Sequence, residues 1–278
     1  MTLQDLPPIG FGAMPLSIQG RPPEDVGQRV IGAAIDAGLT LIDTADVYCL
    51  DDSDIGHNER LIASAIKGRD DVRVATKGGL RRPRGAWTND ASPQHLREAC
   101  ERSLRALEVE QIWLYQLHAP DPRVPFERSV ETLAELQRDG KIEHVGLSNV
   151  SVKEIEQARR IVPIVSVQNR LNPYFRESIP VAEHCTKEDI AFLAYSPVGG
   201  GRLAKKLPEF EVLWPIAAAH DASVHAVVIA WVRSKGSTVI PIPAARTVEH
   251  AEDSAKAAKI TLTRDEIERI DDAEFSRA

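Results

Sequence analysis

Cysteine is scarce in this chain. Cys49, Cys100 and Cys185 are odd in number, far apart and never spaced C-x-x-C. That excludes a disulfide framework and fits reduced thiols in a cytoplasm. No run of apolar residues approaches the roughly 18 that a membrane-spanning helix needs. Cationic residues are outnumbered: 34 Lys and Arg against 41 Asp and Glu leave a net charge of −7. Neither nucleic acid nor an anionic membrane is therefore expected as a partner. The opening MTLQDLPPIG has neither the basic start nor the apolar core of a secretory leader, so a cytoplasmic location is expected. No G-x-G-x-x-G follows an apolar run, which weighs against a doubly wound dinucleotide fold. None of the eight histidines forms an H-x-H pair, which leaves a metal-dependent barrel hydrolase without its usual ligands. The acidic run Asp51, Asp52, Asp54 lacks the spacing of a calcium loop and reads as a solvated loop.

What the chain does have is a regular alternation. Its 278 residues are 43% hydrophobic, and short apolar runs recur at 9–13, 39–43, 72–76, 112–117, 144–147, 164–167, 191–194 and 238–241. Most are continuous, as expected of parallel strands covered on both faces. Helical periodicity fills the gaps, at 24–37 (ending at Gly38), from Ser92-Pro93 through Leu107, and at 125–138, 152–160, 179–187, 223–234 and 248–258. Ser92 is placed to cap its helix and Pro93 to open it. Eight units of about 35 residues suit a (β/α)8 barrel. The segments 212–219 and 263–275 read as helices outside the repeat, the second an additional C-terminal one. No break in composition divides the chain, so residues 1–278 are expected to form a single domain.

In such a barrel, residues just past the C-terminal ends of the strands converge on one site. Here those positions hold Asp43 and Tyr48 in "LTLIDTADVY", Lys77 in "VRVATKGG" and His118 in "IWLYQLHAPDP". Each could be mundane: an Asx turn, a loop lysine, a structural histidine. Their joint placement on three successive loops suggests a proton donor. Tyrosine titrates near pH 10, and a neighbouring ammonium would lower that value. Asp43 would compensate the buried lysine, and His118 could orient a substrate oxygen.

With these residues in place, the chain resembles the aldo-keto reductases. The tetrad of that family is matched by Asp43, Tyr48, Lys77 and His118. The likeness continues through "GFGAM" at 10–14, "GHNERLIASAI" at 56–66, "GKIEHVGLSN" at 140–149, "VQNRLNP" at 167–173, "LAYSPVGGGRL" at 193–203 and "VIPIPAAR" at 239–246. The resemblance implies an NADPH-dependent reductase of a small carbonyl compound, a monomer or weak homo-oligomer, with the cofactor extended across the barrel mouth. Carried over by position, Ser148, Asn149 and Gln168 would hold the nicotinamide carboxamide, with Tyr195 stacked on its ring. Ser196, Val198, Gly199 and Gly200 would follow the pyrophosphate. Arg246 would reach the adenosine 2′-phosphate, placing NADPH ahead of NADH. Where many relatives carry Gly-Ser or Gly-Thr and later Glu-Asn against the adenine, this chain has Ala244-Ala245 and Asp253-Ser254. Met14, Trp87 and Cys49 are candidates for the substrate wall, Trp87 with the alternative of anchoring its own loop; Trp113 reads as core or helix-facing and Trp231 as packing. The alternative to an enzyme is a nicotinamide-binding regulatory or sensor protein on the same barrel. A complete tetrad argues against it.

Overall fold

A computed structural model describes residues 6–277; the first five residues of the opening segment lie outside the described part. The first half of the chain forms β1 (Phe11–Gly12), α1 (Glu24–Asp36), β2 (Leu41–Asp43), α2 (His57–Ala65) and β3 (Arg73–Gly78). A small hairpin follows, β4 (Leu80–Arg81) and β5 (Thr88–Asn89), then α3 (Pro93–Leu107), β6 (Ile112–Leu117), α4 (Phe126–Arg138) and β7 (Ile142–Ser148). The second half contributes α5 (Val152–Arg159), β8 (Ile164–Arg170), α6 (Ile179–Lys187) and β9 (Ala191–Tyr195). Then come α7 (Gly201–Ala204), α8 (Leu213–Ala219), α9 (Val224–Arg233), β10 (Val239–Ile242), α10 (Val248–Lys256) and α11 (Arg264–Asp272).

Eight strands pair in parallel in the order β1-β2-β3-β6-β7-β8-β9-β10. Two backbone bonds join the outer edges, from Gly10 N–H to the Pro241 carbonyl at 2.9 Å and from Gly12 N–H to that of Pro243 at 2.8 Å. The sheet thus closes into the expected (β/α)8 barrel, with α11 as the added helix. All eight expected strands are present, that at 112–117 with the expected ends and the others with shifted ones. The antiparallel β4–β5 hairpin was not expected, because two-residue strands in "LRRPRGAWTN" leave no readable alternation.

Local signals act as read. The Ser92 hydroxyl accepts from His95 N–H at 3.3 Å with Pro93 next in line. Capping boxes at Ser151–Glu154 and Thr263–Glu266 start α5 and α11, satisfying donors that a helix start otherwise leaves open. No single described helix is long and apolar enough to cross a bilayer. Trp231 is fully buried, its indole N–H donating to Asp271 at 2.9 Å.

The barrel's inner layer explains how the fold creates a site. Leu41, Ala75, Leu114 and Leu193 pack together inside it with Ile240 and Ile242. Side chains alternate faces along a strand. Two residues onward, towards the C-terminal mouth, the same strands carry Asp43, Lys77, Gln116 and Tyr195. The interior therefore changes from aliphatic to polar within one pleat.

Glycine is required where Lys77 leaves its strand. A Cβ on Gly78 would stand 2.0 Å from the hydroxyl of fully buried Tyr115 and 2.9 Å from its ring carbon Cζ. Overpacking of this kind costs about 1–3 kcal/mol. Gly78→Ala should lower the urea midpoint accordingly; an unmoved midpoint would show that the Tyr115 layer yields freely.

Candidate active site

Lys77 is the hub of the mouth. Its side chain has no exposed surface, and its ammonium donates to Asp43 Oδ2 at 2.8 Å, the Thr44 carbonyl at 2.8 Å and the Tyr48 hydroxyl at 3.0 Å. Asp43 is positioned by β2 and Lys77 by β3, which pair directly. Tyr48 reaches the same point from the loop after β2, packed against Ala45, Val47 and Leu80. The second Asp43 oxygen accepts from Gln168 Nε2 at 2.6 Å. His118 directly follows β6, its ring edge-on to Tyr48 with centroids 5.8 Å apart. All four tetrad positions meet.

The electrostatics correct one expectation. Burial disfavours a charged lysine, but the Asp43 carboxylate and the neighbouring phenol outweigh it, and Lys77 sits above its ordinary pKa. Burial also raises Tyr48 above 10.0, and the attraction of Lys77 for a phenolate only partly offsets that rise. The phenol is therefore not made more acidic in the resting site, contrary to expectation, because desolvation outweighs one paired ammonium. Tyr48 holds its proton. Burial, with repulsion from Lys77, pushes His118 well below 6.5, so its imidazole is neutral, with a buried Nδ1 that has no partner.

Beside the tetrad, Ser148 ends β7 and Asn149 follows it. The Ser148 hydroxyl donates to the Gln168 carbonyl at 2.8 Å, while Asn149 Nδ2 donates to the His118 carbonyl at 3.0 Å. The Tyr195 hydroxyl donates to Asn149 Oδ1 at 2.9 Å, which gathers three of the expected nicotinamide contacts. Beyond Tyr195 the backbone turns through positive φ at Ser196 (50°), Gly199 (88°), Gly200 (69°) and Gly201 (32°). Gly199 has a packing reason as well: a Cβ there would lie 2.9 Å from the Tyr174 ring and from Leu203. Val198 is half-buried between the two main core clusters. Arg246, exposed, donates to the carbonyls of Pro15 (3.2 Å) and Gln19 (2.9 Å). The residues Ser148, Asn149, Gln168, Tyr195, Ser196, Gly199, Gly200 and Arg246 include no carboxylate. A neutral and cationic donor set beside an open glycine turn fits an anionic dinucleotide.

Of the residues expected at a substrate wall, Met14 packs against the Tyr48 cluster, and Trp87 stands edge-on to Tyr48 at 6.3 Å. Cys49 is not part of the wall. It is fully buried, its thiol pointing to the carbonyls of Val47 and Asp51, and burial pushes it up to about 12. Nor is Trp113, which lies near the start of β6 against His144, at the opposite end of the strand from His118. The acidic run is more than a solvated loop, since Asp54 pairs with Arg21 at 2.5 Å and Asp51 caps a short 3-10 turn. Asp253 is engaged by the Ser223 hydroxyl at 2.5 Å. Arg82 was missed: it lies buried beneath the mouth, and nothing in "RRPRGAW" marks it among its arginine neighbours.

Comparison with known proteins gives a family and a fold. The aldo/keto reductase family profile matches residues 8–274. An uncharacterized oxidoreductase of Schizosaccharomyces pombe is 34% identical over 95% of this chain and 85% of its own length. A probable aldo-keto reductase of Glycine max is 31% identical over 95% and 84%. Among solved structures, the glycerol dehydrogenase of Gluconobacter oxydans superposes with a TM-score of 0.83 at 29% identity, covering 96% of this chain and 91% of that one. An aldo/keto reductase of Klebsiella pneumoniae in complex with NADP and acetate superposes at 0.79, with 28% identity and coverage of 96% and 90%. Fold and matches together define an NAD(P)H-dependent oxidoreductase built on a barrel. The chain belongs to the aldo/keto reductase family.

Behind the tetrad lies a pair of buried acids, Asp46 and Glu59. Both Asp46 oxygens are buried without a hydrogen bond, and so is one oxygen of Glu59; the other accepts from Thr76 at 2.6 Å. Burial, then repulsion from Glu59, raises Asp46 to about 8 despite Arg102 at 3.5 Å. A folded-state value above the unfolded 3.8 means that stability present below pH 4 is lost as pH rises through about 8. Asp46→Asn should therefore melt above the wild type at pH 9, the advantage shrinking towards pH 4. A difference that is constant with pH would show that the carboxyl ionises without cost.

Proposed function

We propose that the chain reduces an aldehyde or ketone to an alcohol, with NADPH preferred over NADH. The observation that carries this reading is the single lysine ammonium bonded at once to a buried carboxylate and to a tyrosine hydroxyl. In the proposed reaction the nicotinamide, when bound, supplies hydride from C4 to the carbonyl carbon. The chain's own residues handle the oxygen. Neutral His118 offers a ring N–H to orient it, and Tyr48 passes its proton to the oxygen as negative charge develops. Lys77 stabilises the phenolate this leaves, so its attraction for that charge, outweighed in the resting site, counts in the transition state. Asp43 keeps Lys77 charged, and Gln168 fixes the Asp43 carboxylate.

Ser148, Asn149 and Gln168 are proposed to hold the carboxamide, with Tyr195 against the ring. Ser196, Val198, Gly199 and Gly200 would border the pyrophosphate. Arg246, exposed and planar, supports NADPH because its fork of donors suits a phosphate. Met14 and Trp87 would line the substrate side. Residues 1–278 are proposed to act as one domain.

The test is NADPH oxidation against a panel of aldehydes and ketones, with NADH in parallel. Tyr48→Phe should keep NADPH binding, read by fluorescence, while kcat falls by roughly 10²–10⁴, the share usual for a positioned acid. An undiminished kcat would remove Tyr48 from the reaction. Quenching of NADPH fluorescence with no consumption across the panel would favour the sensor alternative.

A further inference from the structure

Arg82 is an unusual residue to find under a loop. It is 2% exposed, and its guanidinium donates only to neutral oxygens, with the Asp51 carboxylate attracting it without a hydrogen bond. Nε and Nη2 donate to the Cys49 carbonyl at 3.3 and 3.1 Å, Nη1 to the Gly85 carbonyl, and Nη2 also to the Gln19 side-chain oxygen at 3.4 Å. One face of the guanidinium is covered by the Trp87 indole, 3.9 Å from the ring centroid. These partners come from three separate loops. Gln19 follows β1, Cys49 is the residue after Tyr48, and Gly85 and Trp87 belong to the β4–β5 hairpin.

A buried cation is costly unless its donors are satisfied. A planar fork of five donors that can also stack on a ring meets this requirement here, and a lysine could not. The consequence falls on Trp87. Its indole is 47% exposed, directly before β5 in a polar hairpin, and edge-on to Tyr48 at an interplanar angle of 75°. A ring so exposed has little packing to hold it. Arg82 supplies the contact on one side, and the same guanidinium holds the backbone immediately after Tyr48.

We propose that Arg82 is the positioning residue for Trp87, and that the indole so fixed beside the Tyr48 ring favours flat aryl or conjugated carbonyl substrates over aliphatic ones. This rests on the carbonyl-reductase reading of the site. The geometry places a flat apolar wall next to the proton donor, so a planar substrate can lie along it while its oxygen reaches Tyr48. Without the guanidinium the indole is free to turn, and the wall is lost although its residue remains.

The experiment compares benzaldehyde with butanal, using NADPH, in the wild type, Trp87→Ala, Arg82→Lys and the double variant. In each single variant the benzaldehyde-to-butanal ratio of kcat/KM should fall about tenfold, chiefly through the KM for benzaldehyde. The double variant should fall no further, because both changes remove the same wall. Trp87→Phe should restore most of the ratio. An unmoved ratio in Trp87→Ala overturns the proposal, and so do losses that multiply in the double variant. Should Arg82→Lys fail to fold, the Trp87→Ala and Trp87→Phe ratios decide alone. A wild type that consumes NADPH with neither aldehyde defeats the reductase reading and this proposal together, whereas turnover of both with an unmoved ratio defeats this proposal only.

Discussion

A lysine ammonium with no contact with water is the constraint around which the mouth of this barrel is built. Lys77 has three donors and three acceptors, from Asp43, Thr44 and Tyr48. Removing one member of a buried pair typically costs about 3–5 kcal/mol, because the other charge is left uncompensated. Asp43 must therefore end β2, the Thr44 carbonyl must turn inward, and the loop must bring Tyr48 back over the opening. Gly78 follows from the same demand, since β3 has to pass Tyr115 closely just beyond the lysine.

Outward from this hub the supports become progressively more neutral. Gln168 braces Asp43, and Ser148, Asn149 and Tyr195 form a chain of hydrogen bonds along the neighbouring strand ends. Arg82 repeats the logic on the other side with a different solution: carbonyl oxygens and an indole face instead of a carboxylate. The pair behind the tetrad, Asp46 and Glu59, is poorly satisfied. The rigid polar layer and the strained acidic layer share β3 and the Tyr48 loop.

The architecture was legible because its cause is periodic. Parallel strands buried on both faces write continuous apolar runs, and Asp43, Lys77 and His118 stood out by interrupting or following them. Tyr48 was recognisable only in their company. The hairpin β4–β5 was not legible, since strands of two residues carry no period. Arg82 was hidden for a related reason: in a stretch with two other arginines, Arg81 and Arg84, only three-dimensional closure decides which one is buried. The direction of the Tyr48 shift could not be read either, because proximity to Lys77 is visible in the motif, whereas the desolvation that outweighs it depends on how closely the loop packs. Cys49 looked like pocket lining from its place beside Tyr48, but one residue further along the loop its side chain turns into the protein and its thiol meets two carbonyls.

The central claim is that Lys77 serves the proton transfer rather than merely filling the barrel. Lys77→Met keeps the length of the side chain and removes the charge. Its NADPH dissociation constant and single-turnover rate with a saturating aldehyde, measured on the same preparation, separate the two roles. The expected result is cofactor affinity within a few-fold of the wild type and a rate lower by at least about a hundredfold, in line with loss of assisted proton donation. Retained affinity with an undiminished rate would contradict the account.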